Sequence, residues 1–342
     1  MIRMAKLALC ALIATGCRVT EPDPSGSHDG LEAVKVGIAI PSYVHGLAWI
    51  ADSAGFFRTN GLEVEVVQLK GSASCMRGLL SGDLDMALAG GDAAVKANVA
   101  GGHLVILGGI VNRPYHRLIG TEEITGPEDL RGRSIGLPFL GGPQDMVVRY
   151  ALDRFGLVYN QDVTIKIMGA EFARLAALER GEVDVVTSAA PPSKVAELGF
   201  RIVADTPSWD VPFPYMQMVV REGALQDRRE TMRSLVKALS EAMVYYRDHP
   251  AESLAILAPY LGEDRGLAQD AYATQGPGLF SYPPTPDIAG LQRVIDFLAE
   301  SDDGFRGLKA ADHVDTSILE ELTAAGFDAE SVQSLPGPAA ED

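Results

Sequence analysis

The stretch Gly82-Asp83-Leu84-Asp85-Met86 returns, with similar residue types, as Gly181-Glu182-Val183-Asp184-Val185, 99 residues later. Gly37-Ile38 returns at the same offset as Gly136-Leu137. A constant offset indicates that one supersecondary unit is built twice. Each copy contains an apolar strand, a polar loop that opens a helix, a second strand, a second helix ending at a glycine, and a short third strand. The sequence therefore predicts an α/β fold with two lobes.

Two such lobes predict a cleft, because open parallel sheets place ligand-binding loops beyond the carboxyl ends of their strands. We expect residues 34–116 and 214–327 to form the first lobe, with a strand at Met216 to Val220, and residues 117–213 to form the second. Two chain crossings between lobes make a hinge. Residues 328–342 read as a loose tail. This organisation favours capture of a small molecule.

Composition excludes several classes of protein. The chain has 342 residues, enough for two domains, and its hydrophobic share of 47% and charged share of 22% are those of a globular protein. The formal charge of -17 argues against a nucleic-acid partner, since phosphate backbones are bound by basic surfaces. Beyond the first residues, no segment stays apolar for the roughly 20 residues that span a bilayer.

The N-terminus predicts export. Residues 1–16 read as a signal peptide, with a positively charged start, the apolar run Leu7 to Ile13, and small residues before Cys17. Ala14-Thr15-Gly16-Cys17 resembles a bacterial lipobox, although Ala14 stands where leucine is usual. We expect Cys17 to be acylated and to anchor the protein to a membrane of the bacterial cell envelope, with residues 17–33 as a flexible tether. An ordinary secretory signal cleaved nearby is the alternative.

The cysteines and histidines predict neither a metal nor a disulfide. Cleavage removes Cys10 and acylation uses Cys17, so Cys75 alone remains free. The six histidines show no metal-ligand spacing. We expect no cofactor.

The offset also tells which loops face each other across the cleft. Ser42 to Gly46 matches residues 141–145, Gly71 to Ser74 matches residues 170–173, and Ala89 to Asp92 matches residues 188–191. These loops lie at strand-to-helix junctions and are expected to line the cleft. The residues predicted to bind ligand there and at the crossings are Ser42, Tyr43, His45, Ser72, Ser74, Gly91, Asp92, Asn112, Gly141, Gly142, Asp145, Phe172, Ser188 and Trp209.

Charge at these loops leaves two ligand classes open. Helix N-termini favour an anion such as a sulfonate or carboxylate. Three carboxylates at these loops, Asp92, Asp145 and Glu171, instead favour an amine or ring N-H donor, because burying an unpaired carboxylate costs several kcal/mol. Their alternative role is local, as an N-cap for Asp92 and as a first-turn acid that balances the helix dipole for Asp145. The only basic residues expected near the loops are Lys70, Lys96 and Arg113.

Aromatic residues in the loops and crossings favour a flat heterocycle. Several together would form a stacking box, with Tyr43 and Trp209 as its two faces. Local packing is the alternative for each of them. The aromatic residues concerned are Tyr43, Tyr115, Phe139, Phe172, Trp209, Phe213 and Tyr215.

Motifs in a characteristic order complete the sequence evidence: Ala54-Gly55-Phe56-Phe57, residues 60–64, residues 82–87, Pro127 to Arg133, and Ala177 to Asp184. Over about residues 34–327 the chain resembles the SsuA/THI5-like (NMT1-type) substrate-binding proteins of ABC importers. The resemblance implies a type II periplasmic binding fold and a monomer that delivers a small-molecule ligand to an ABC permease and ATPase. A pyrimidine-like ligand, as in the thiamin-precursor branch, is favoured over an alkanesulfonate.

An enzyme is not expected. Ser42 and His45 are three residues apart, but nothing in the sequence supplies the orienting group and oxyanion site of a nucleophilic centre. The sequence has no Gly-x-Ser-x-Gly elbow, Walker loop or dinucleotide fingerprint. Cys75 alone does not provide the cysteine-rich motif of fungal relatives. A THI5-like enzyme and a ligand-sensing partner of a membrane receptor stay as alternatives.

Overall fold

The computed structural model describes residues 30–209, 211–261, 269, 271–273 and 275–327. They form two five-stranded sheets covered by helices, which confirms the predicted two-lobed α/β fold. The strands are β1 (Glu32–Ile38), β2 (Leu62–Gln68), β3 (Met86–Ala89), β4 (Leu104–Val111), β5 (Arg117–Gly120), β6 (Ser134–Leu137), β7 (Thr164–Ile167), β8 (Val185–Ser188), β9 (Arg201–Ala204) and β10 (Met216–Arg221).

Most helices follow directly on a strand. The α-helices are α1 (Leu47–Ser53), α2 (Phe56–Thr59), α3 (Ser72–Ser81), α4 (Gly91–Val99), α5 (Pro143–Arg154), α6 (Glu171–Glu179), α7 (Pro192–Glu197), α8 (Glu222–Asp227), α9 (Arg229–Asp248), α10 (Pro250–Leu261), α11 (Ile288–Ala299) and α12 (Ser317–Ala324). None of the described helices is long and apolar enough to cross a membrane.

The order of the strands in each sheet shows how the chain passes between the two lobes. The first sheet runs β2-β1-β3-β10-β4, and β10 is antiparallel to both of its neighbours. The second sheet runs β7-β6-β8-β5-β9, with β5 antiparallel to both of its neighbours. The chain therefore leaves the first sheet after β4, builds the second, and returns with β10. The predicted return of Met216 to Val220 to the first lobe is confirmed.

The repeat is preserved in strand pairing. In the first sheet Gly37 lies between Val67 and Ala87. In the second, each partner is shifted by the same 99 residues, because Gly136 lies between Lys166 and Val186. The two lobes are thus copies of one unit at the level of individual residue pairs.

Strand β5 is absent from the sequence-based prediction, in which the chain only crosses from one lobe to the other after residue 116. It begins 99 residues before β10, at Arg117 against Met216. Shifting the predicted strand Met216 to Val220 back by the repeat offset would have found it. Its four residues are too short for a periodic pattern to stand out.

Two local predictions need correction. Strand β1 begins at Glu32, inside the stretch predicted as tether, because Val34 and Val36 already alternate into the core. Helical spacing of apolar residues predicts one helix from the Ser42 to Gly46 loop to about Arg58. The structure interrupts it at Gly55, whose φ of 77° is left-handed and separates α1 from α2. The predicted signal peptide, Cys17 and the tail at 328–342 lie outside the described residues. The boundaries assigned to the lobes stay predictions.

Helices cover both faces of each sheet. In the first lobe α1 and α9 pack on one face, and α3, α4 and α11 pack on the other. In the second lobe α5 covers one face, and α6 and α7 cover the other. In the first lobe the helices that follow β1, β2 and β3 start at the carboxyl edge of the sheet. In the second lobe the helices that follow β6, β7 and β8 start at the equivalent edge. These edges face each other across the cleft.

Candidate functional site

A cavity of about 40 Å³ lies between the lobes. It is much smaller than the roughly 300 to 1,000 Å³ of typical ligand pockets, so the lobes are close together in this structure. Of the residues predicted to bind ligand, His45, Ser72 and Gly142 line it. Its lining is Ala39, Ile40, His45, Gly71, Ser72 and Tyr215 from one side and Pro138, Phe139, Gly142, Pro143 and Gln144 from the other.

Two glycines let the lobes approach. A methyl group on Gly90 would lie 2.7 Å from Cγ of Pro143, and one on Gly71 would lie 3.3 Å from Cβ of Phe139. Carbon atoms in good contact are about 3.5 to 4.0 Å apart. Both glycines belong to loops of the first lobe, and both facing residues belong to the second. The seam between the lobes therefore depends on small residues.

His45 and Gln144 enter the cavity from equivalent positions of the two copies. Nδ1 of His45 is 2.9 Å from the Ser42 hydroxyl, and burial lowers the pKa of His45 to about 4, so the ring is neutral at pH 7. The Gln144 amide oxygen accepts a hydrogen bond of 2.5 Å from the Thr187 hydroxyl and one of 3.4 Å from Arg174. The cavity thus has a neutral polar group on each side.

Ser72 and Glu171 form a second equivalent pair, and here the two lobes differ. Oγ of Ser72 accepts from the Gly90 amide at 3.1 Å. Oε1 of Glu171 accepts from the Ala189 amide, the counterpart of Gly90, at 2.9 Å and from the Ser188 hydroxyl at 2.5 Å. A serine is sufficient to bind the loop amide. Glutamate adds a second oxygen, Oε2, and no described residue hydrogen-bonds it.

Arg174 gives the second lobe a buried positive charge. Its side chain is 1% exposed, and its guanidinium donates to the carbonyl of Thr187 at 3.1 Å and to that of Gly169. Burial lowers its pKa, and it has no ion pair within the described part of the chain. The equivalent residue of the first lobe is Cys75, which is buried and whose pKa burial raises to about 12.

Sequence reasoning missed Arg174 as a basic residue near the loops, and it missed Gln144. Two observations could have found them. The residue 99 positions after His45 is Gln144, and Arg174 lies three residues after Glu171, in the first turn of a helix expected to open on the cleft.

The crossings meet beside this site. The Tyr215 hydroxyl is 2.7 Å from Nδ1 of His116, and the ring of Tyr115 lies 4.5 Å from that of Tyr215. Burial raises the pKa of Tyr215 well above its ordinary value, and the negative charge of Glu171 adds to this. An ion pair of 2.7 Å joins Arg117, at the start of β5, to Asp205, just after β9.

Asp145 has a local role. Its carboxylate accepts from the Gly141 amide at 2.9 Å, lies 3.3 Å from Arg149, and is bonded by the Tyr159 hydroxyl. All of these partners belong to the second lobe. Asp145 is thus the first-turn acid of α5, as its alternative role predicted, and does not line the cavity.

Asp92 is fully buried in the first turn of α4. Gly90 is the N-cap of that helix, so the N-cap role predicted for Asp92 is wrong. Its Oδ2 pairs with Lys96 at 2.8 Å, and Oδ1 has no hydrogen-bond partner in the described chain. Asp92 lies beside Gly90 at the seam but does not line the cavity.

Tyr43 and Trp209 lie outside the cavity. Tyr43 is buried in the core of the first lobe, where its backbone carbonyl accepts from the hydroxyl of Tyr246 in α9. Trp209 packs edge-on against Phe155, with the guanidinium of Arg154 5.0 Å from its ring centre. Both fill gaps between secondary-structure elements of their own lobe. The aromatic rings that do line the cavity are Phe139 and Tyr215.

The remaining predicted contacts are dispersed. Ser74 donates to the carbonyl of Lys70, and Asn112 donates to Ser281 and Thr285 behind the crossings. Phe172 is 78% exposed at the start of α6. The Gly91 amide donates to the carbonyl of Pro214, Gly141 adopts a φ of 71°, and Ser188 binds Glu171. Among described residues, no group of three or more His, Cys, Asp and Glu side chains is placed to hold a metal ion.

Comparison with known proteins places the chain in a family. Residues 42–253 match the family described as NMT1/THI5 like. The chain is 25% identical over 232 residues to the putative binding protein YtlA of Bacillus subtilis, covering 66% of this chain and 69% of that protein. It is 21% identical over 264 residues to the formylaminopyrimidine-binding protein of Halalkalibacterium halodurans, covering 75% and 78%.

A solved structure is similar in fold. The periplasmic aliphatic sulphonate binding protein SsuA from Escherichia coli superposes with a TM-score of 0.66 at 20% identity, covering 82% of this chain and 91% of SsuA. The family match spans more than half of the chain and includes both crossings and all of the cavity lining except Ala39 and Ile40. The protein belongs to the NMT1/THI5-like family and has the two-lobed fold of the type II periplasmic binding proteins.

Proposed function

We propose that this protein is the solute-binding component of an ABC importer and that its cleft captures a flat heterocycle of the pyrimidine type that donates an N-H group. Family membership and the two lobes around a cleft support the transport role. The relative that binds formylaminopyrimidine supports the ligand class.

The observation that carries the ligand class is the free oxygen of Glu171. At the equivalent position of the first lobe, the hydroxyl of Ser72 is sufficient to accept the hydrogen bond from the loop amide. Glu171 binds its loop with one oxygen and leaves Oε2 for another donor. A carboxylate fixed in this way selects an amine or ring N-H, because a charge-assisted hydrogen bond contributes roughly 1.5 to 3 kcal/mol.

Phe139 and Tyr215 supply the aromatic faces in this proposal, in place of Tyr43 and Trp209. They line the cavity from opposite lobes. A ring held between them contacts both lobes only when the lobes are closed. Because the cavity is about 40 Å³, the ligand enters when the lobes separate about the crossings, and its contacts then favour the closed state.

Calorimetric titration of the wild type and of Glu171→Ser tests the ligand class. Serine supplies a hydroxyl that can accept from the loop amide, as Ser72 does in the first lobe. It removes the Oε2 acceptor, together with the bond from the Ser188 hydroxyl to Oε1. We expect 4-aminopyrimidine to bind the wild type and to bind the variant roughly 10- to 100-fold more weakly. Glu179→Ser, which removes an exposed charge from the other end of the same helix, is the matched control. Equal binding by wild type and Glu171→Ser would refute the role of this carboxylate.

An alkanesulfonate or similar anion is the second candidate, favoured by the buried charge of Arg174. In that case ethanesulfonate binds the wild type, 4-aminopyrimidine does not, and Glu171→Ser tightens sulfonate binding by removing a like charge. A THI5-like enzyme would release a product from purified protein without other components. A receptor partner would be encoded beside a receptor gene instead of a permease and ATPase pair.

We also propose that the protein acts as a monomer on the outer side of the membrane, held by lipid on Cys17. The Ala14-Thr15-Gly16-Cys17 pattern and the polar stretch after it support the anchor. A tether of this kind leaves the lobes free to move while keeping the captured ligand near the permease.

A further inference from the structure

The orientation of the Gln144 amide follows from its neighbours. A guanidinium group can only donate hydrogen bonds. The amide atom that faces Arg174 at 3.4 Å must therefore be the oxygen, and the Thr187 hydroxyl donates to the same atom at 2.5 Å. The oxygen and nitrogen of an amide are assigned from their hydrogen-bond partners, and the arginine donor requires the Gln144 oxygen at this position.

The amide nitrogen of Gln144 is consequently turned away from these two donors. It carries two N-H groups, and no described residue accepts from either of them. Gln144 is 7% exposed and lines the cavity between the lobes. The nitrogen is not among the fully buried side-chain atoms that lack a partner, so it keeps some access to solvent and can donate to a group in the cavity.

We infer that Gln144 is a specificity-determining residue that donates an N-H to an acceptor on the ligand, and that Arg174 and Thr187 are the positioning residues that fix the direction of this donor. This explains a buried arginine that has no ion pair among the described residues. Its charge need not reach the ligand, because its hydrogen bond to Gln144 sets which amide atom the ligand meets.

Donor and acceptor lie side by side in this arrangement. Glu171 and Arg174 are one turn apart on α6, and their partners Ser188 and Thr187 are neighbours at the end of β8. Gln144 and Glu171 are therefore bound by adjacent residues of β8. Glu171 does not line the cavity in this structure. In this inference the Gln144 N-H donor and the Glu171 Oε2 acceptor face the ligand from the same side of the cleft. Such a pair complements a ring nitrogen beside an exocyclic amino group, as in a 4-aminopyrimidine. This inference rests on the proposed function and deepens it.

Exchanging the donor for an acceptor tests the role of Gln144. Gln144→Glu has nearly the same shape, keeps the bond to Arg174 and removes both N-H donors. The probes are 4-aminopyrimidine and pyrimidin-4-one, whose ring N-H and carbonyl reverse the pattern of donor and acceptor. We expect the wild type to prefer 4-aminopyrimidine by at least about tenfold, and Gln144→Glu to lose at least about tenfold in affinity for it.

Arg174→Met tests the positioning role. The quantity measured is the preference between the two pyrimidines, which a loss of packing alone would not change. Without the guanidinium the amide can turn either way, so the preference for 4-aminopyrimidine over pyrimidin-4-one should fall towards parity. Arg149→Met is the matched control, because Arg149 is bound to Asp145 and not to Gln144. It should keep the wild-type preference.

The outcomes separate this inference from the proposed function. If the wild type binds 4-aminopyrimidine and Gln144→Glu binds it equally well, Gln144 is not a donor to the ligand and the proposed function stands. If Gln144→Glu does not fold, Gln144→Met replaces it, with the same loss expected. If the wild type binds neither pyrimidine, the proposed ligand class fails and this inference fails with it.

Discussion

Gly90→Ala should weaken ligand binding without touching the ligand. The new Cβ would lie 2.7 Å from Cγ and 2.9 Å from Cδ of Pro143, a residue of the facing lobe. The lobes would have to stay about 1 Å further apart at this seam to restore ordinary contact distances. Overpacking of this size costs roughly 1 to 3 kcal/mol. Only the closed state bears this cost, so affinity should fall roughly 5- to 100-fold.

The assay is titration with 4-aminopyrimidine, combined with X-ray scattering of the free protein. The radius of gyration should rise in Gly90→Ala and stay unchanged in Gly223→Ala, where a methyl group meets no atom within 4 Å. The new Cβ would also lie 2.5 Å from Oδ1 of Asp92, within the same lobe. The double variant Gly90→Ala/Pro143→Ala separates the two effects. It removes the contact with Pro143 between the lobes and keeps the contact with Asp92 within the first lobe. Recovery of affinity in the double variant is expected, and its absence would refute the role of the seam.

Three further predictions concern single residues. Because burial lowers the pKa of His45 from 6.5 to about 4, the unfolded chain binds a proton over this range that the folded protein does not. The free energy of unfolding, measured with urea, should therefore be highest above pH 6.5 and fall by up to about 3 kcal/mol towards pH 4, and by less in His45→Gln. Asp145→Asn should lower the free energy of unfolding by about 1 to 3 kcal/mol, since Arg149 and Tyr159 lose a charged partner, and should leave the ligand affinity unchanged. A weaker ligand affinity in Asp145→Asn would show that Asp145 takes part in ligand binding. Cys17→Ala should move the protein from the membrane fraction to the soluble fraction of the cell envelope, and its retention on the membrane would place the anchor elsewhere.

The repeat made much of the fold predictable. A continuous apolar run predicts a buried strand such as β4, and a glycine at the end of a helical segment predicts where a helix such as α3 ends. The constant offset predicts where these elements are repeated. Strand β5 was missed because a four-residue strand shows too little periodicity, although the offset pointed to it.

The residues of the candidate binding site were less predictable, because the site depends on contacts between residues far apart in the chain. Tyr43 belongs to a loop that looks exposed in sequence, and α9, about 200 residues later, covers it. Asp145 is neutralised by neighbours on its own helix and by Tyr159. Gln144 gains its direction from Arg174, 30 residues away. Periodicity predicts which elements form but not which side chains meet between them.

A crystal structure of the protein with 4-aminopyrimidine would show whether the ligand binds at this site. We expect the ring between Phe139 and Tyr215, with its amino group within hydrogen-bond distance of Oε2 of Glu171 and its ring nitrogen facing the Gln144 amide. A ring bound elsewhere on the protein, or a sulfonate bound at this site with no pyrimidine binding, would contradict this expectation.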